Sequence, residues 1–305
     1  MDISKLLLGK LPPRIDQRTI KLSSLIKPGL LPPLPTEYDI DSKTGLIDNN
    51  QYANDKYGDC VIAARAHMTL RFEMTEQARE LVITDNEVIA EYMEEGNNEA
   101  NGPGLIILDS LNKWRQDGWM VGGQNYKIHA FSSVDWKNHD EVKYCIYLLN
   151  GIYTGLALPS TAATQIQNKQ PWDVINPGSP EAKPGSWGYH AVYGKAYNSD
   201  NPQPAPSRCK VGNGIAKGLN LVQGVRGRRG RFYYLNPQVK YLVGGYNAVG
   251  PIVVTWGMNQ QTTWAWWDSY VDEAYGIIDE KDPWLGSNSP IDSDQLETTL
   301  KEITQ

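Results

Sequence analysis

Two side chains that stand 130 positions apart carry the chemistry this sequence offers. Cys60 sits in NDKYGDCVIAARAHM (54–68), after a turn-forming stretch and at the head of an alanine-rich apolar run. The N-terminus of a helix favours the thiolate, and a neighbouring imidazolium favours it further, which makes the sulfur a nucleophile toward carbonyl carbon. Taken alone, Cys60 fits equally well as a small buried hydrophobe. The base must come from His67, His129, His139 or His190. His67 lies two turns along the same predicted helix, His139 stands beside Asp140 at a predicted helix start, and His129 lies in a strand with no special context. His190, in GSWGYHAVYGKAY (185–197), follows small residues and opens an apolar strand, a placement that presents its imidazole at the strand's start.

The spacing of apolar residues gives the elements that must hold this pair. It predicts helices over 59–81, with Asp59 as cap, over 84–95, opened by TDNE, over 102–117 and over 138–150. Cys145 falls on the apolar face of the last of these and reads as core. Strands are predicted at 126–131, 152–159, 190–197, 231–235 and 251–257, a helix or a strand-and-turn at 262–278, with the Trp264, Trp267 and Val271 spacing favouring the helix, and a short amphipathic helix after Asp292. Helices come mostly first and strands mostly last, an order that predicts an α+β fold. Residues 1–50 are rich in proline and read as an extended arm over a body at 51–285, with 286–305 as a C-terminal helical tail. The stretch 198–231 is far longer than a strand connection needs and ends in Arg226, Arg228, Arg229 and Arg231.

With these blocks in order, the chain resembles the papain-like cysteine peptidases, and more particularly a bacterial and phage branch of that fold. The resemblance covers roughly residues 50–280 and rests on NDKYGDC (54–60), GYHAV (188–192) and VTWG (254–257). It implies a helical half whose central helix carries Cys60, packed on a mostly antiparallel β-sheet or barrel half that carries His190. Asn54 matches the family's oxyanion-hole glutamine but is one methylene shorter, and Gly58 has a counterpart near the cysteine. Trp256 matches the tryptophan that shields the histidine, and Trp187 lies just ahead of His190 as a further binding residue. The family's orienting asparagine is replaced by Val254, which cannot hydrogen-bond. Thr255 is the substitute, but neighbouring residues of a strand face opposite ways, so it needs a shifted register or a bulge. No inhibitory propeptide is recognisable in the sequence.

Composition narrows the partners. A net charge of −6 gives no general nucleic-acid signal, and no stretch approaches the ~20 apolar residues of a membrane span. Three widely spaced cysteines, Cys60, Cys145 and Cys209, form neither a disulfide framework nor a cysteine zinc site, and GVRGRRG lacks the ending of a phosphate-binding loop. No cofactor or metal is expected. No signal peptide is seen, so a cytoplasmic or virion-associated location is expected. Two functions follow: a thiol hydrolase acting on a peptide or amide held in a cleft, and a papain-fold scaffold without turnover, such as a virion component. Apolar residues of the arm (Leu6–Leu8, Leu30, Leu31, Leu34) and the Arg226–Arg231 loop are the expected contacts for self-association or particle assembly.

Overall fold

A computed structural model describes residues 6–45, 47, 49–96, 102–198, 242–243, 249–279, 282–286 and 288–304. The predicted strand at 231–235, Cys209 and the arginines Arg226–Arg231 lie outside the described residues.

The centre of the helical half is α3 (Cys60–Gln77). Its first turns are rich in alanine, which offsets the β-branched pair Val61–Ile62, and every residue from Cys60 to Glu73 is buried. Burying Ile62, Met68, Leu70 and Phe72 contributes roughly 1.5–3 kcal/mol each. Such a helix has no solvent face, so its cations are paired inside. Arg65 binds Glu91 at 2.9 Å and Glu95 at 2.6 Å. Arg71 binds Asp41 at 2.8 Å, and the same carboxylate accepts from Lys195 at 2.7 Å. The helix ends at Ala78, whose left-handed backbone (φ 51°) turns its N–H back onto the Glu73 carbonyl. Helix α4 (Asp85–Glu95) opens on a reciprocal cap in which the Glu87 N–H donates to Thr84 Oγ1 and the Thr84 N–H donates to Glu87 Oε2. Helix α5 (Ile107–Gln116) starts later than its sequence pattern suggests, because Leu105 is held extended against the arm.

The strands form one open, mostly antiparallel sheet in the order β4 (Ala130–Ser133), β10 (Val271–Ile278), β5 (Ile152–Leu158), β6 (Gly188–Tyr197), β8 (Pro251–Thr255), β9 (Met258–Gln261) and β7 (Leu242–Val243). Strand β1 (Tyr38–Asp39), from the arm, pairs with β6. Strand alternation divides the core. Tyr153, Ala191, Tyr193 and Val254 pack toward α3, while Ile152, Val192 and Val253 pack toward α6 (His139–Leu148), α8 (Trp264–Tyr270) and α9 (Ser293–Thr304). Cys145, on α6, is core as expected.

Three sequence-based element assignments differ from the structure. The stretch 262–278 is half helix and half strand: Thr263 caps α8, and the chain leaves the helix at Val271 to pair with both β5 and β4. The strand predicted at 126–131 is two pieces, the end of the β2–β3 hairpin (Trp119–Val121 and Gln124–Tyr126) and the start of β4. Helix α7 (Ser160–Gln167) carried no clear sequence signal.

The arm is ordered against the body along its described length. Ile20, Leu22 and Leu25 enter the core, Lys21 bridges to Ser133, Ile26 bridges to Ile291, and Tyr197 Oη donates to the Pro35 carbonyl at 3.1 Å.

Candidate active site

The first turn of α3 meets the start of β6. Cys60 is buried, and its Sγ accepts the Ala191 N–H at 3.4 Å, which seats the thiol against the residue that follows His190. The imidazole is fixed from two sides. Its Nε2 lies 2.7 Å from Thr255 Oγ1, and its face stacks on Trp256 with ring centroids 4.1 Å apart and planes at 13°. Its Nδ1 is buried with no hydrogen-bond partner. Trp187 packs on the far side of this pair, 5.5 Å from Trp256. The predicted residues His190, Thr255, Trp256 and Trp187 are thus brought together, and Cys60 lies against Ala191, the residue that follows His190.

A bulge gives Thr255 this position. At the far end of the β6–β8 pair, Ala196 opposes Ile252 and Tyr197 opposes Pro251. Continued unbroken, that register would set Val254 on the His190 face of β6 and turn Thr255 away. The register shifts between Gly194 and Ala196, after which Tyr193 opposes Val254 and Thr255 falls opposite Val192, on the face that carries His190. The VTWG block is therefore a strand end and a tight turn, with Thr255 paired to Met258 across Trp256 and Gly257. Both turn residues have positive φ (43° and 75°), as a two-residue hairpin of the primed kind requires. For tryptophan this backbone costs about 1–3 kcal/mol, and the indole Nε1–H, donated to the Leu7 carbonyl at 3.0 Å, offsets part of it.

That carbonyl belongs to the arm, which runs through the site. The Leu7 N–H donates to the Asn54 carbonyl (3.2 Å), the Lys10 N–H to the Tyr189 carbonyl (3.4 Å), the Leu105 N–H to the Gly9 carbonyl (2.8 Å) and the Leu11 N–H to the Leu105 carbonyl (2.8 Å). The amides of Ala191 and Gly9 both face the Cys60 sulfur. Such close approach demands glycine. A Cβ on Gly9 would lie 1.6 Å from the Gly58 carbonyl oxygen, and one on Gly104 (φ +101°) would lie 2.2 Å from the Gly9 oxygen. No such segment was recognisable in the sequence; LLLGKLPP carries no motif, and only the mutual fit of Gly9, Gly58 and Gly104 reveals it.

Covered in this way, Cys60, His190 and Asp59 are buried, and burial favours the neutral form of each. Burial pushes the Cys60 thiol up to about 12, with the Ala191 and Gly9 amides acting the other way. Burial likewise drives the His190 imidazole down to about 3. Just before Cys60, the fully buried Asp59 carboxyl is raised by burial to about 8. Asn54 is buried, and its side-chain amide donates to the Tyr57 carbonyl at 3.0 Å, bracing the turn that leads into α3. The other histidines lie elsewhere. His67 packs on Tyr52 inside the core, the partly exposed His139 stacks on Trp264 beside Asp268, and His129 reaches Glu297 of α9.

Comparison with solved structures shows the fold. The chain is similar to xylellain, a cysteine protease from Xylella fastidiosa, at 15% identity and a TM-score of 0.57, over 90% of this chain and 97% of that one. It also aligns with procathepsin B S9 from Trypanosoma congolense (13% identity, TM-score 0.47, 65% of this chain and 73% of that one). A third alignment is with procathepsin L 3 from Tenebrio molitor larval midgut (10% identity, TM-score 0.46, 86% of this chain and 76% of that one). No protein-family model matches the sequence, and no curated protein matches it. The chain has the papain-like α+β fold.

Proposed function

We propose that this chain is a papain-like thiol hydrolase, a peptidase or amidase, held at rest by its own N-terminal arm. The observation that carries the reading is the buried constellation of Cys60 at a helix start, Ala191 against its sulfur, and His190 clamped between Thr255 and Trp256 with Nδ1 unpartnered. When the arm leaves, water reaches the thiol and imidazole, and the desolvation that keeps both neutral is relieved. The Cys60 proton passes to His190 Nδ1, and the thiolate attacks the substrate carbonyl. The backbone N–H of Cys60, one of the unpaired donors of the first helical turn, stabilises the oxyanion, joined by the Asn54 side-chain amide once it turns from the Tyr57 carbonyl and the Asp59 carboxyl that hold it at rest. His190 returns its proton to the leaving amine, giving an acyl-enzyme. It then takes a proton from water, whose oxygen releases the acid and restores the thiol. Thr255 holds the imidazole in place, a task for which Val254 has no polar atom.

The arm contacts Cys60 through the Gly9 N–H, a donor, whereas attack requires a carbonyl carbon. This supports a role for the arm as cover, distinct from substrate. The scaffold reading drew on Val254 and on apolar arm residues in need of partners. Thr255 supplies a hydroxyl in place of the asparagine, and of the apolar arm residues Leu6 is buried and Leu7, Leu8, Leu31 and Leu34 are half-buried within the same chain, while Leu30 is exposed. The test is hydrolysis of a mixed peptide library by the full chain with Gly9→Ala, with Cys60→Ser in the same background as control. Cleavage abolished by the serine supports the proposal. No cleavage, together with a Cys60 that labels no faster than a free thiol, overturns it.

A further inference from the structure

The arm leaves one side chain in a pocket beside Cys60. Lys10 follows Gly9, and its side chain has no exposed surface. Its Nζ lies 2.9 Å from Asp272 Oδ2 and 2.8 Å from Glu273 Oε1, donates to the Leu11 carbonyl at 3.1 Å, and stands 5.3 Å from the centre of the Tyr189 ring. Gly155 on β5 opens the space, since a Cβ there would lie 2.3 Å from Lys10 Cε and 2.6 Å from Glu273 Cγ. Successive side chains of a strand face opposite ways, yet Asp272 and Glu273 reach the same amine. The register of β10 on β5 shifts between Val271 and Glu273, and this bulge re-aims Asp272. Glu273 is held from behind, where Tyr275 Oη donates to its Oε2 at 2.9 Å.

Two largely buried carboxylates facing one ammonium make a site that requires a cation. Once the arm departs, Asp272 and Glu273 lose their counter-charge next to the nucleophile. We propose that the pocket formed by Gly155, Tyr189, Asp272 and Glu273 sets the specificity of the site by taking a lysine or arginine side chain of the substrate, and that Lys10 fills it at rest as an internal mimic of that side chain. This rests on the thiol-hydrolase reading and names its substrate class, a peptide or amide with a basic residue within a residue or two of the bond cut.

The test uses the full chain carrying Lys10→Met, which frees the pocket and weakens the arm. Two peptidyl electrophiles that alkylate Cys60 are compared, identical except for lysine or norleucine at the position nearest the warhead and the one before it. The lysine probe is expected to label about 100-fold faster, because a site built to pair a charge rejects the analogue that lacks it. Adding Glu273→Gln should bring that ratio below about 10, the norleucine probe serving as the internal reference for Cys60 reactivity in each variant. Because Lys10→Met strands two buried carboxylates, a second measurement leaves Lys10 in place. Glu273→Gln alone should raise iodoacetamide labelling of Cys60 several-fold by loosening the arm. If Cys60 labels readily in the folded protein but lysine and norleucine probes react alike, the pocket proposal fails and the hydrolase reading stands. If no probe reaches Cys60 in any folded variant, the hydrolase reading fails and the pocket proposal falls with it.

Discussion

Replacing Gly9 by alanine is the sharpest perturbation of the closed site. The added Cβ would lie 1.6, 2.1 and 2.4 Å from the O, C and Cα of Gly58, all backbone atoms that cannot rotate aside. Restoring ordinary contact requires the arm to move by roughly 1.5 Å. A shift of that size breaks the hydrogen bonds from Lys10 N–H to Tyr189 and from Leu105 N–H to Gly9, and the approach of the Gly9 amide to Cys60. At about 1 kcal/mol for each contact, the closed arm loses about 3 kcal/mol, and the open fraction rises about 100-fold. The assay is the rate of iodoacetamide labelling at Cys60, read by mass spectrometry at pH 7.5. Cys145, buried in the core and donating to the Gly151 carbonyl, must stay unlabelled as proof of an intact fold. Gly29→Ala, with nothing within 4 Å of its Cβ, is the neutral control. Equal Cys60 rates in wild type and Gly9→Ala, with Cys145 silent in both, would refute the idea that this segment guards the thiol.

Three further outcomes follow from the same geometry. Thr255→Val removes the bond to His190 Nε2, and in an arm-loosened background it should lower kcat about 10- to 100-fold, with Thr255→Ser restoring most of the loss in a steady-state peptide assay. Asp41→Ala leaves Arg71 and Lys195 buried with reduced counter-charge, and urea titration should show a loss of about 3–5 kcal/mol. Stability should fall at both ends of the pH scale. His67 and His190 are held down to about 3, so their contribution is lost as pH drops below the unfolded value of about 6.5. Asp59 is raised to about 8 and Glu76 to about 9, so theirs is lost as pH rises from the ordinary carboxylate range through those values, and Asp59→Asn should flatten the decline of Tm up to about pH 8 and leave it unchanged above.

Cys60 and His190 stood out in the sequence as candidates because few residue types do this chemistry, and the chain offers only four histidines to choose from. The helices of the first half were legible because apolar periodicity and caps, as at Thr84 and Asn138, are local signals. What stayed hidden was decided by contacts distant in sequence. Helix α5 begins late because Leu105 answers to Gly9, about a hundred positions away. The aromatic run at 264–270 has helical spacing, and nothing local says that Val271 will find Leu156 as a strand partner. The role of LLLGKLPP emerges only when Gly9 is laid against Gly58 and Lys10 against Asp272.

Two irregularities in one sheet make the site. A regular β6–β8 pair would aim Val254 at His190 and leave the imidazole without an orienting partner; the shift at Gly194–Ala196 presents Thr255 instead. A regular β5–β10 pair would send Asp272 and Glu273 to opposite faces; the shift between Val271 and Glu273 gathers both onto Lys10. Each bulge gives up ladder pairing; the first turns Thr255 onto His190, and the second turns Asp272 onto Lys10 of the arm. The first bulge also carries Lys195, whose amine is drawn inward to Asp39 and Asp41, so its cost is offset by an ion pair that ties the arm's β1 to the sheet. Removing that pair should therefore loosen the register that seats Thr255 as well as the arm, which couples the clamp on His190 to the cover over Cys60.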